Sequence, residues 1–369
     1  MQWALIQLAK PLRPGATIGI IGGGQLGRML ALAAFPLGYQ VRVFEPNNPC
    51  PAGLMTPFHT CSEYNDDRAL VKFAKFCDVV TFEFENIPLK AARLIEDNAT
   101  LFPNSKALAL TQDRLVEKEF VQSLGLKTAP FMAVESLGEL RAAIAAIGPR
   151  GILKTRTLGY DGKGQVLVNG ADEAESAWQD IGAKPAVFEG LVEFEFETSA
   201  ILAQGIDGQI LHFPNSQNIH SGGILRKSIV PAPLNRAQIV EAKRIGAAIA
   251  EALNYVGVMA VELFVTKSGL VINEIAPRVH NSGHWTIEGC RTSQFTAHIR
   301  AICGLPLGDA TLNAPNIEME NLLGDEILAA QELLGETNSY VHFYGKAEVK
   351  AGRKMGHVTV LAKSRETRR

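Results

Sequence analysis

Between Thr17 and Pro103, short apolar runs alternate with segments of helical period, and this alternation constrains the fold more than any other feature of the sequence. The apolar runs are TIGII, VRVFE, DVVTFEF and TLFP, and the helical segments are QLGRMLALAAF, RALVKFAKF and PLKAARLIED. Strand and helix repeats of this length are typical of βαβ units around a parallel sheet. The pattern therefore predicts an α/β protein with a Rossmann-like N-terminal domain of parallel βαβ type, to which we assign residues 1–110.

The sequence changes character beyond this domain. One long helix from about Ser105 to Ser123 is predicted as the connection, followed by the strands RGILKTR and QVLV around a glycine-rich turn. A helix from about Ala237 to Leu253 precedes the strands VMAVELFV and GLVINEIA, and VHFYGK and HVTVLAK are short strands near the end. This order predicts a central α+β domain over 111–310 and a small β-rich C-terminal domain over 311–369.

Composition narrows the class of protein. The chain has 369 residues, a formal net charge of −2 and five cysteines without a CxxC pair. With so small a net charge, the protein as a whole does not attract nucleic acid or an anionic membrane electrostatically. Any phosphate must therefore be bound by a local group of residues. The long apolar window from Gly246 to Val265 contains Glu251, Asn254 and Glu262, which is too polar for a membrane span. Together with the absence of a signal-peptide pattern, these features predict a cytoplasmic protein with no nucleic-acid or membrane partner.

A glycine turn follows the first predicted strand. Gly22, Gly24 and Gly27 in IIGGGQLGR open a helix, where backbone amides can bind a phosphate. Glu45 ends the next strand, at about the position of the ribose-binding acid in dinucleotide folds. This turn is consistent with NAD(P) binding, with another phosphate ligand, or with packing alone.

A second glycine cluster lies in the central domain. Lys154 precedes GYDGKGQ, which runs from Gly159 to Gln165 between two predicted strands. Amides in such a hairpin can fold over phosphates while Lys154 and Lys163 supply charge. The alternative is a plain surface hairpin, although turn geometry requires neither Tyr160 nor Asp161.

Glu262 and Glu274 give the sharpest signal. They lie on strands joined by the predicted three-residue loop Lys267, Ser268 and Gly269, so they would face each other directly. Directly opposed like charges are destabilising, and a hard divalent cation such as Mg²⁺ carrying nucleotide phosphates would compensate them. The alternative is a solvated hairpin face with Lys or Arg neighbours. The apolar residues Ala260, Phe264 and Ile272, which we assign to the same face, argue against that alternative.

Two polar clusters follow the acid pair. The loop IAPRVHNSGHWT is predicted to bind an anion through a dense set of side chains, namely Arg278, His280, Asn281, Ser282 and His284. Near the end, YGK and RKMGH form either a basic surface or a second anion site, with Lys346, Arg353, Lys354 and His357.

Taken together, these segments resemble the 5-(carboxyamino)imidazole ribonucleotide synthase family of purine biosynthesis, within the ATP-grasp superfamily. The resemblance is carried by GGGQLGRM, TQDRLVEK, LKTRTLGYDGKGQ, EGLVEFEFE, NIHSGGI, VELFV, NEIAPRVHNSGHWT, NLLG and YGKAEVKAGRKMGH. It extends from about Ile18 to His357, with Val279 in place of a proline common in the family. It implies a pre-ATP-grasp domain, an ATP-grasp domain and a small C-terminal domain. The implied reaction phosphorylates bicarbonate with ATP and Mg²⁺ to carboxyphosphate, then carboxylates the amine of 5-aminoimidazole ribonucleotide.

The resemblance also implies roles for individual residues. Glu262 and Glu274 would bind Mg²⁺. Asp161, Arg278 and Lys346 would be catalytic, with Asp161 hydrogen-bonding the amine or accepting its proton. The implied ribonucleotide contacts are Gln25, Glu83, Tyr160, Asp161, Asn281, Ser282, Lys346 and Arg353, of which Asn281 and Ser282 join Arg278 near carboxyphosphate. The implied ATP contacts are Arg114, Lys154, Gly159, Tyr160, Asp161, Gly162, Lys163, Gly164, Gln165, Glu189, Gly190, Leu191, Val192, Glu197, His220, Asn273 and Glu274.

Three other functions stay open from the sequence. One is an ATP-grasp ligase for a different acid and amine, although YGK and RKMGH favour the named family. Another is an NAD-dependent oxidoreductase, which gives Glu262 and Glu274 no role. The last is an ATP-binding regulatory protein without catalysis. The family resemblance further implies a homodimer, and it assigns the glycine turn at Gly22 to the imidazole ribonucleotide.

Overall fold

A computed structural model of the chain describes residues 10–159 and 162–362. Its first unit is a parallel sheet in the strand order β3-β2-β1-β4, as the βαβ pattern predicts. Ile18, Ile20 and Val43 have no exposed surface and form its core. The elements are β1 (Thr17–Ile21), α1 (Gln25–Ala34), β2 (Gln40–Phe44), β3 (His59–Thr60), α2 (Asp67–Ala74), β4 (Val79–Phe82) and α3 (Leu89–Glu96).

The predicted long helix is two helices, and that prediction is corrected. The helix α4 (Ser105–Thr111) ends before Asp113, and α5 (Arg114–Ser123) begins after it. The side chain of Asp113 accepts hydrogen bonds from the amides of Leu115 and Val116, which caps α5. Arg156 also forms an ion pair with Asp113, so the start of α5 is tied to the central region.

A small antiparallel sheet follows, in the order β5-β8-β6-β7. Phe188 and Leu153 are fully buried between this sheet and its two helices. The elements are β5 (Phe131–Val134), α6 (Leu137–Ile147), β6 (Gly151–Thr155), β7 (Gln165–Val168), α7 (Ala174–Asp180) and β8 (Ala186–Gly190).

The rest of the chain builds one large antiparallel sheet, in the order β14-β13-β9-β11-β12-β15-β17-β16, with β10 on β9. The C-terminal strands are therefore not a separate sheet, because β15 pairs with β12 from Val230 opposite Ile317 to Lys227 opposite Glu320. The elements are β9 (Phe196–Gln204), β10 (Ile210–His212), β11 (Ser216–Ser221), β12 (Ile224–Val230), α8 (Arg236–Ala252), β13 (Gly257–Thr266), β14 (Gly269–Ala276), α9 (Thr286–Gly289), α10 (Gln294–Ile302), β15 (Asn316–Leu323), α11 (Glu326–Ala329), β16 (Ser339–Phe343) and β17 (Lys354–Ala362). Among the described residues, no helix has the length and apolar character that crossing a membrane requires.

His298 on α10 joins the N-terminal sheet to the large sheet. Its Nδ1 accepts a hydrogen bond from the Val258 amide at 3.0 Å. In the neutral ring the proton is therefore on Nε2, which donates a hydrogen bond to Thr81 Oγ1 at 2.8 Å. The ring is fully buried, and burial lowers the pKa of His298 to about 3. This histidine is therefore neutral in the folded protein.

We expect His298 to make the protein sensitive to mild acid. Below about pH 6.5 the unfolded chain binds a proton at this position that the folded chain does not, so the free energy of unfolding falls by about 1.4 kcal/mol per pH unit until about pH 3. Chemical unfolding of wild type and His298→Asn at pH 7.5 and pH 5 measures this, and the variant is expected to lose about 2 kcal/mol less stability between those values. Thr81→Val removes the same hydrogen bond but keeps the ring, so it should retain the wild-type pH slope. Equal slopes in all three proteins would contradict the assignment.

Candidate active site

Glu262 and Glu274 lie directly opposite each other on β13 and β14, as the sequence predicts. The route to this register differs from the prediction. Thr266 pairs with Gly269, so the turn contains two residues, Lys267 and Ser268, instead of three. A β-bulge on β14 after Ile272 then shifts the register by one residue and restores the Glu262–Glu274 pair.

The two-residue turn corrects the assignment of Ile272 to the face of the acid pair, because the bulge comes only after Ile272. Ile272 pairs with Leu263, and both are buried in the core beneath α8 on the opposite face. Glu262 instead lies next to Phe264, Asn273 and residues of the neighbouring strands of the large sheet, namely Glu197, Thr198, Asn218 and His220.

Each carboxylate of the pair already has a cationic or polar neighbour. Arg114 donates to Glu274 Oε2 at 3.0 Å, and His280 Nε2 lies 3.2 Å from Glu262 Oε1. Burial alone would raise the pKa of Glu262, but His280 and then His220 lower it to about 2, so this group is a carboxylate. Two opposed carboxylates fit Mg²⁺, which binds through one or two carboxylates together with substrate phosphates. The described residues contain no set of three or more His, Cys, Asp or Glu side chains that could hold a metal without such phosphates.

A buried cluster of two lysines and one glutamate lies beside Asn273. Glu189 Oε2 on β8 is 3.1 Å from Lys154 Nζ and 3.0 Å from Lys118 Nζ. Lys154 Nζ also lies 3.5 Å from Asn273 Oδ1. Burial lowers the pKa of Lys154 although Glu189 opposes this, while the two lysines outweigh burial and lower the pKa of Glu189. Sequence reasoning identified Lys154 but missed Lys118.

The glycine loop between β6 and β7 meets two other parts of the site. A Cβ atom on Gly159 would lie 3.0 Å from Arg114 Nη2, and one on Gly162 would lie 3.1 Å from Gly223 Cα in the β11–β12 turn. Gly164 has a positive φ of 71°, and Gln165 begins β7 opposite Lys154. Tyr160 and Asp161 lie outside the described residues.

The other predicted ATP contacts lie along β8, β9 and β11. Glu197 on β9 forms an ion pair with His220 on β11. Burial alone would lower the pKa of His220, but Glu197 outweighs burial, so the pKa of His220 is raised. At the end of β8 the amides of Gly190 and Leu191 donate to the carbonyl groups of Pro130 and Arg150, so these two amides are already paired within the protein. Phe264 stacks on Phe194 at 4.8 Å between ring centroids, an apolar surface that the sequence did not predict to be part of this site.

The N-terminal glycine turn is filled by the protein's own carboxylates. The amides of Gly24 and Gly27 donate to Glu83 at 2.7 and 3.0 Å, and the Gly23 amide donates to Glu45 at 3.0 Å. A Cβ atom on Gly24 would lie 2.4 Å from Glu83 Oε1, so this approach requires glycine. These three amides are therefore already paired within the protein, and Glu45 is occupied by the Gly23 amide instead of a dinucleotide ribose. Gln25 begins α1 next to this turn.

Arg278 is held by a carboxylate from the N-terminal domain. Its guanidinium forms a forked pair with Glu85, in which Nη2 donates to Oε1 at 2.9 Å and Nε donates to Oε2. Burial would lower the pKa of Arg278, but Glu85 and then Glu83 raise it, and Arg278 helps to lower the pKa of Glu85 to about 2. Sequence reasoning missed Glu85, because its partner is 193 positions away.

The loop after Arg278 is fixed to the large sheet. Asn281 exchanges two hydrogen bonds of 2.9 and 2.8 Å with Asn321 on β15, and Ser282 donates to Ser199 on β9 at 2.9 Å. His284 was predicted to belong to an anion-binding loop, and His357 to either a basic surface or a second anion site. Both rings are instead fully buried with centroids 5.0 Å apart, so they are core residues, and this prediction is corrected.

The C-terminal basic residues lie near the N-terminal domain. Lys346 Nζ donates to the Lys354 carbonyl at 2.6 Å, and Arg353 Nη1 donates to the Glu348 carbonyl at 3.3 Å. A Cβ atom on the neighbouring Gly345 would lie 3.6 Å from Arg28 Nη1 on α1. Arg28 is thus a further cation beside this segment. Although Arg28 ends the motif GGGQLGR, the motif did not indicate that this arginine lies next to the C-terminal basic residues.

Comparisons with known proteins match the three parts of the chain to three family models. Residues 15–112 match the ribonucleotide synthetase preATP-grasp domain, residues 119–295 match the ATP-grasp domain, and residues 318–369 match the phosphoribosylaminoimidazole carboxylase C-terminal domain.

Full-length relatives are also similar. The chain is 48% identical to the N5-carboxyaminoimidazole ribonucleotide synthase of Brucella melitensis, over 94% of this chain and 97% of that protein. It is 44% identical to the Bacillus subtilis enzyme of the same name, over 94% and 92%. An ADP complex of an N5-carboxyaminoimidazole ribonucleotide synthetase superimposes with a TM-score of 0.93 at 42% identity, covering 97% of this chain and 95% of the other. The Aspergillus clavatus synthase with ADP and 5-aminoimidazole ribonucleotide gives 0.89 at 30% identity, covering 95% of each.

Proposed function

This chain belongs to the N5-carboxyaminoimidazole ribonucleotide synthase family of ATP-grasp ligases, and on that premise we propose how its residues carry out the ATP-dependent conversion of 5-aminoimidazole ribonucleotide to N5-carboxyaminoimidazole ribonucleotide. The observation that carries the proposal is the arrangement around Asn273. The buried Lys118–Glu189–Lys154 cluster lies on one side of it and the Glu262–Glu274 pair on the other. Cations and opposed carboxylates so close together suit a metal–nucleotide phosphate group.

In this proposal ATP lies in the cleft between the small sheet and the large sheet. Lys154 and Arg114 contact its phosphates, and the loop from Gly159 to Gln165 covers them. Backbone groups of residues 189–192 hold adenine, and Glu197 holds the ribose hydroxyls next to His220. Glu262 and Glu274 would hold Mg²⁺, which when bound neutralises charge on the phosphates and helps to align them.

The first chemical step transfers the γ-phosphoryl group of ATP to an oxygen of bicarbonate. The bond between the γ-phosphorus and its bridging oxygen breaks, so that ADP leaves and carboxyphosphate forms. Arg278, Asn281 and Ser282 would hold this intermediate. The fork between Arg278 and Glu85 fixes the guanidinium plane before substrate arrives, which reduces reorganisation during the reaction.

In the second step the exocyclic amine of the ribonucleotide attacks the carboxyl carbon of carboxyphosphate. The carbon–oxygen bond to phosphate breaks, phosphate leaves, and the amine loses one proton. Asp161 is our proposed group to hydrogen-bond the amine or accept that proton. Glu83, Gln25 and Tyr160 are proposed contacts to the ribonucleotide, with Lys346 and Arg353 on its phosphate.

The direct test is ADP release by the purified protein with ATP, Mg²⁺ and bicarbonate, with and without 5-aminoimidazole ribonucleotide. We expect strong stimulation by the ribonucleotide and formation of its carboxylated product. ADP release that ignores the ribonucleotide would contradict the proposed acceptor. Release that does not require bicarbonate would contradict the carboxyphosphate route.

Replacing Lys346 with alanine is expected to weaken ribonucleotide binding much more than ATP binding. Loss of one phosphate-binding cation should raise the KM for the ribonucleotide by about tenfold or more, with the KM for ATP changed by less than about twofold. Lys350→Ala is a matched control, because Lys350 is exposed and pairs with Glu348. If ATP binding weakens instead, Lys346 does not belong to the second site.

We also propose a cytoplasmic homodimer, as the family resemblance implies. The five cysteines are free thiols, which supports a reducing compartment. Sedimentation equilibrium of the purified protein tests the dimer, and a monomer at micromolar concentration would contradict it.

A further inference from the structure

We propose that Lys118 is a positioning residue that keeps Glu189 neutralised, so that Lys154 is available to the nucleotide phosphates. This inference rests on the proposed function, since it assumes that Lys154 binds phosphate. Lys118 was not among the residues implied by the family motifs, although it lies inside TQDRLVEK.

The hydrogen bonds of Lys118 indicate a fixed residue inside the protein. Its side chain is 2% exposed, and its Nζ lies 3.0 Å from Glu189 Oε2 and 3.3 Å from the Asn273 carbonyl oxygen. These two partners belong to different sheets, because Glu189 is on β8 and Asn273 is on β14. Lys118 therefore connects the small sheet to the large sheet on either side of the proposed ATP cleft. Both of its hydrogen bonds are to groups of the protein itself.

Among the described residues, the two lysines are the ion-pair partners of Glu189. Its side chain is 4% exposed, both lysine contacts are to Oε2, and Oε1 is buried without a hydrogen-bond partner among the described residues. A buried carboxylate without a cation is strongly destabilised. Without Lys118, Lys154 would have to stay with Glu189, because moving to a phosphate would leave that carboxylate unpaired.

The charges lead to the same conclusion. Two ammonium groups and one carboxylate give this cluster a net charge of +1, which attracts phosphate. The charge of the nearby Arg114 is balanced by Glu274, so it does not change the net charge of this cluster. Without Lys118 the cluster becomes a neutral Lys154–Glu189 pair.

Binding of ADP with Mg²⁺, measured by isothermal titration calorimetry without the second substrate, tests this role. Lys118→Met and Lys118→Gln are each expected to raise the dissociation constant of ADP by roughly 10- to 100-fold, the effect of one charge near a phosphate at an effective dielectric constant of about 20. The Gln variant keeps a hydrogen-bond donor, so it also serves if the Met variant does not fold. Lys106→Met, an exposed lysine on α4 with the same change in charge, should stay within about twofold of wild type.

The decisive measurement is the double variant Lys118→Met with Glu189→Gln. It removes the carboxylate together with its cation and restores a net charge of +1, so ADP affinity should return to within about fivefold of wild type. A lysine that only supports the fold would not be rescued in this way. A double variant that binds ADP no better than Lys118→Met would overturn the inference, as would normal affinity in both single variants.

The experiments on Lys118 and those on the proposed function can fail independently. If wild type binds ADP but its ATP turnover ignores 5-aminoimidazole ribonucleotide, the acceptor is wrong while the ADP affinities still decide the role of Lys118. Wild type that binds no ADP would overturn both.

Discussion

Replacing Glu274 with glutamine is expected to lower ATP turnover by about a thousandfold, the largest effect of any single change that we consider. Glutamine keeps the size of the side chain and can still accept the hydrogen bond from Arg114. It removes one negative charge from the pair that would bind Mg²⁺. ADP formation at saturating ATP and Mg²⁺ measures the effect, and circular dichroism checks the fold.

Glu251→Gln is the matched control for this change. Glu251 is an exposed residue on α8, and its substitution should leave ADP formation unaltered. Raising the Mg²⁺ concentration should restore part of the activity of Glu274→Gln, because the second carboxylate, Glu262, is still present. Near-normal turnover of Glu274→Gln at ordinary Mg²⁺ would remove Glu274 from the metal site.

A second large effect is expected for Arg278→Lys. Lysine keeps the charge but cannot form the fork with Glu85 or present a planar pair of donors. If Arg278 holds carboxyphosphate, formation of the carboxylated product should fall by about 100-fold while the KM for ATP changes by less than about threefold. Quantifying product and ADP in the same reaction also shows whether carboxyphosphate is lost to water, which would release ADP without product.

The matched control for this variant is Arg244→Lys. Arg244 makes a similar fork with Glu241 on the exposed face of α8. This control should show wild-type kinetics, while Glu85→Gln should reproduce part of the defect of Arg278→Lys. An equal loss of ATP affinity and product formation in Arg278→Lys would assign Arg278 to the nucleotide instead.

The acid pair shows what local sequence can predict. Twelve residues and a turn signal were enough to predict that Glu262 and Glu274 face each other, because cross-strand pairing in a hairpin depends on short-range geometry. Two errors, an extra loop residue and an unseen bulge at Asn273, cancelled in the register of the two glutamates. They did not cancel for Ile272, which lies on the opposite face.

Residues whose partners are distant in sequence were missed. Lys118 meets Asn273 across 155 positions, and Glu85 meets Arg278 across 193. No periodicity or spacing connects such pairs, because folding alone brings them together. The sequence indicates Lys118 only as a charged residue on the apolar face of α5. Its role cannot be assigned from that position until the strand that it contacts is known.

The N-terminal glycine turn shows a different limit, because its motif predicts an anion at a helix N-terminus without saying which anion it is. Glycines at 22, 24 and 27 imply close approach to a helix N-terminus, and the structure contains such an approach. The group that approaches is the carboxylate of Glu83. Sequence cannot distinguish an anion of the protein from one that is bound.

The pairing of β12 with β15 has a consequence for how this polypeptide can be divided. A shortened chain that ended near residue 310 would leave β12 as an open sheet edge from Lys227 to Val230, and its missing partner would carry a matching edge of its own. Such edges recruit other chains, so the truncated protein should aggregate instead of behaving as a shorter enzyme. Co-expression of residues 1–310 with 311–369 could recover the complete sheet, and the two pieces would then be inseparable without denaturant. The family models divide this chain into three domains. The hydrogen bonds between β12 and β15 nevertheless join the ATP-grasp domain and the C-terminal domain in one sheet.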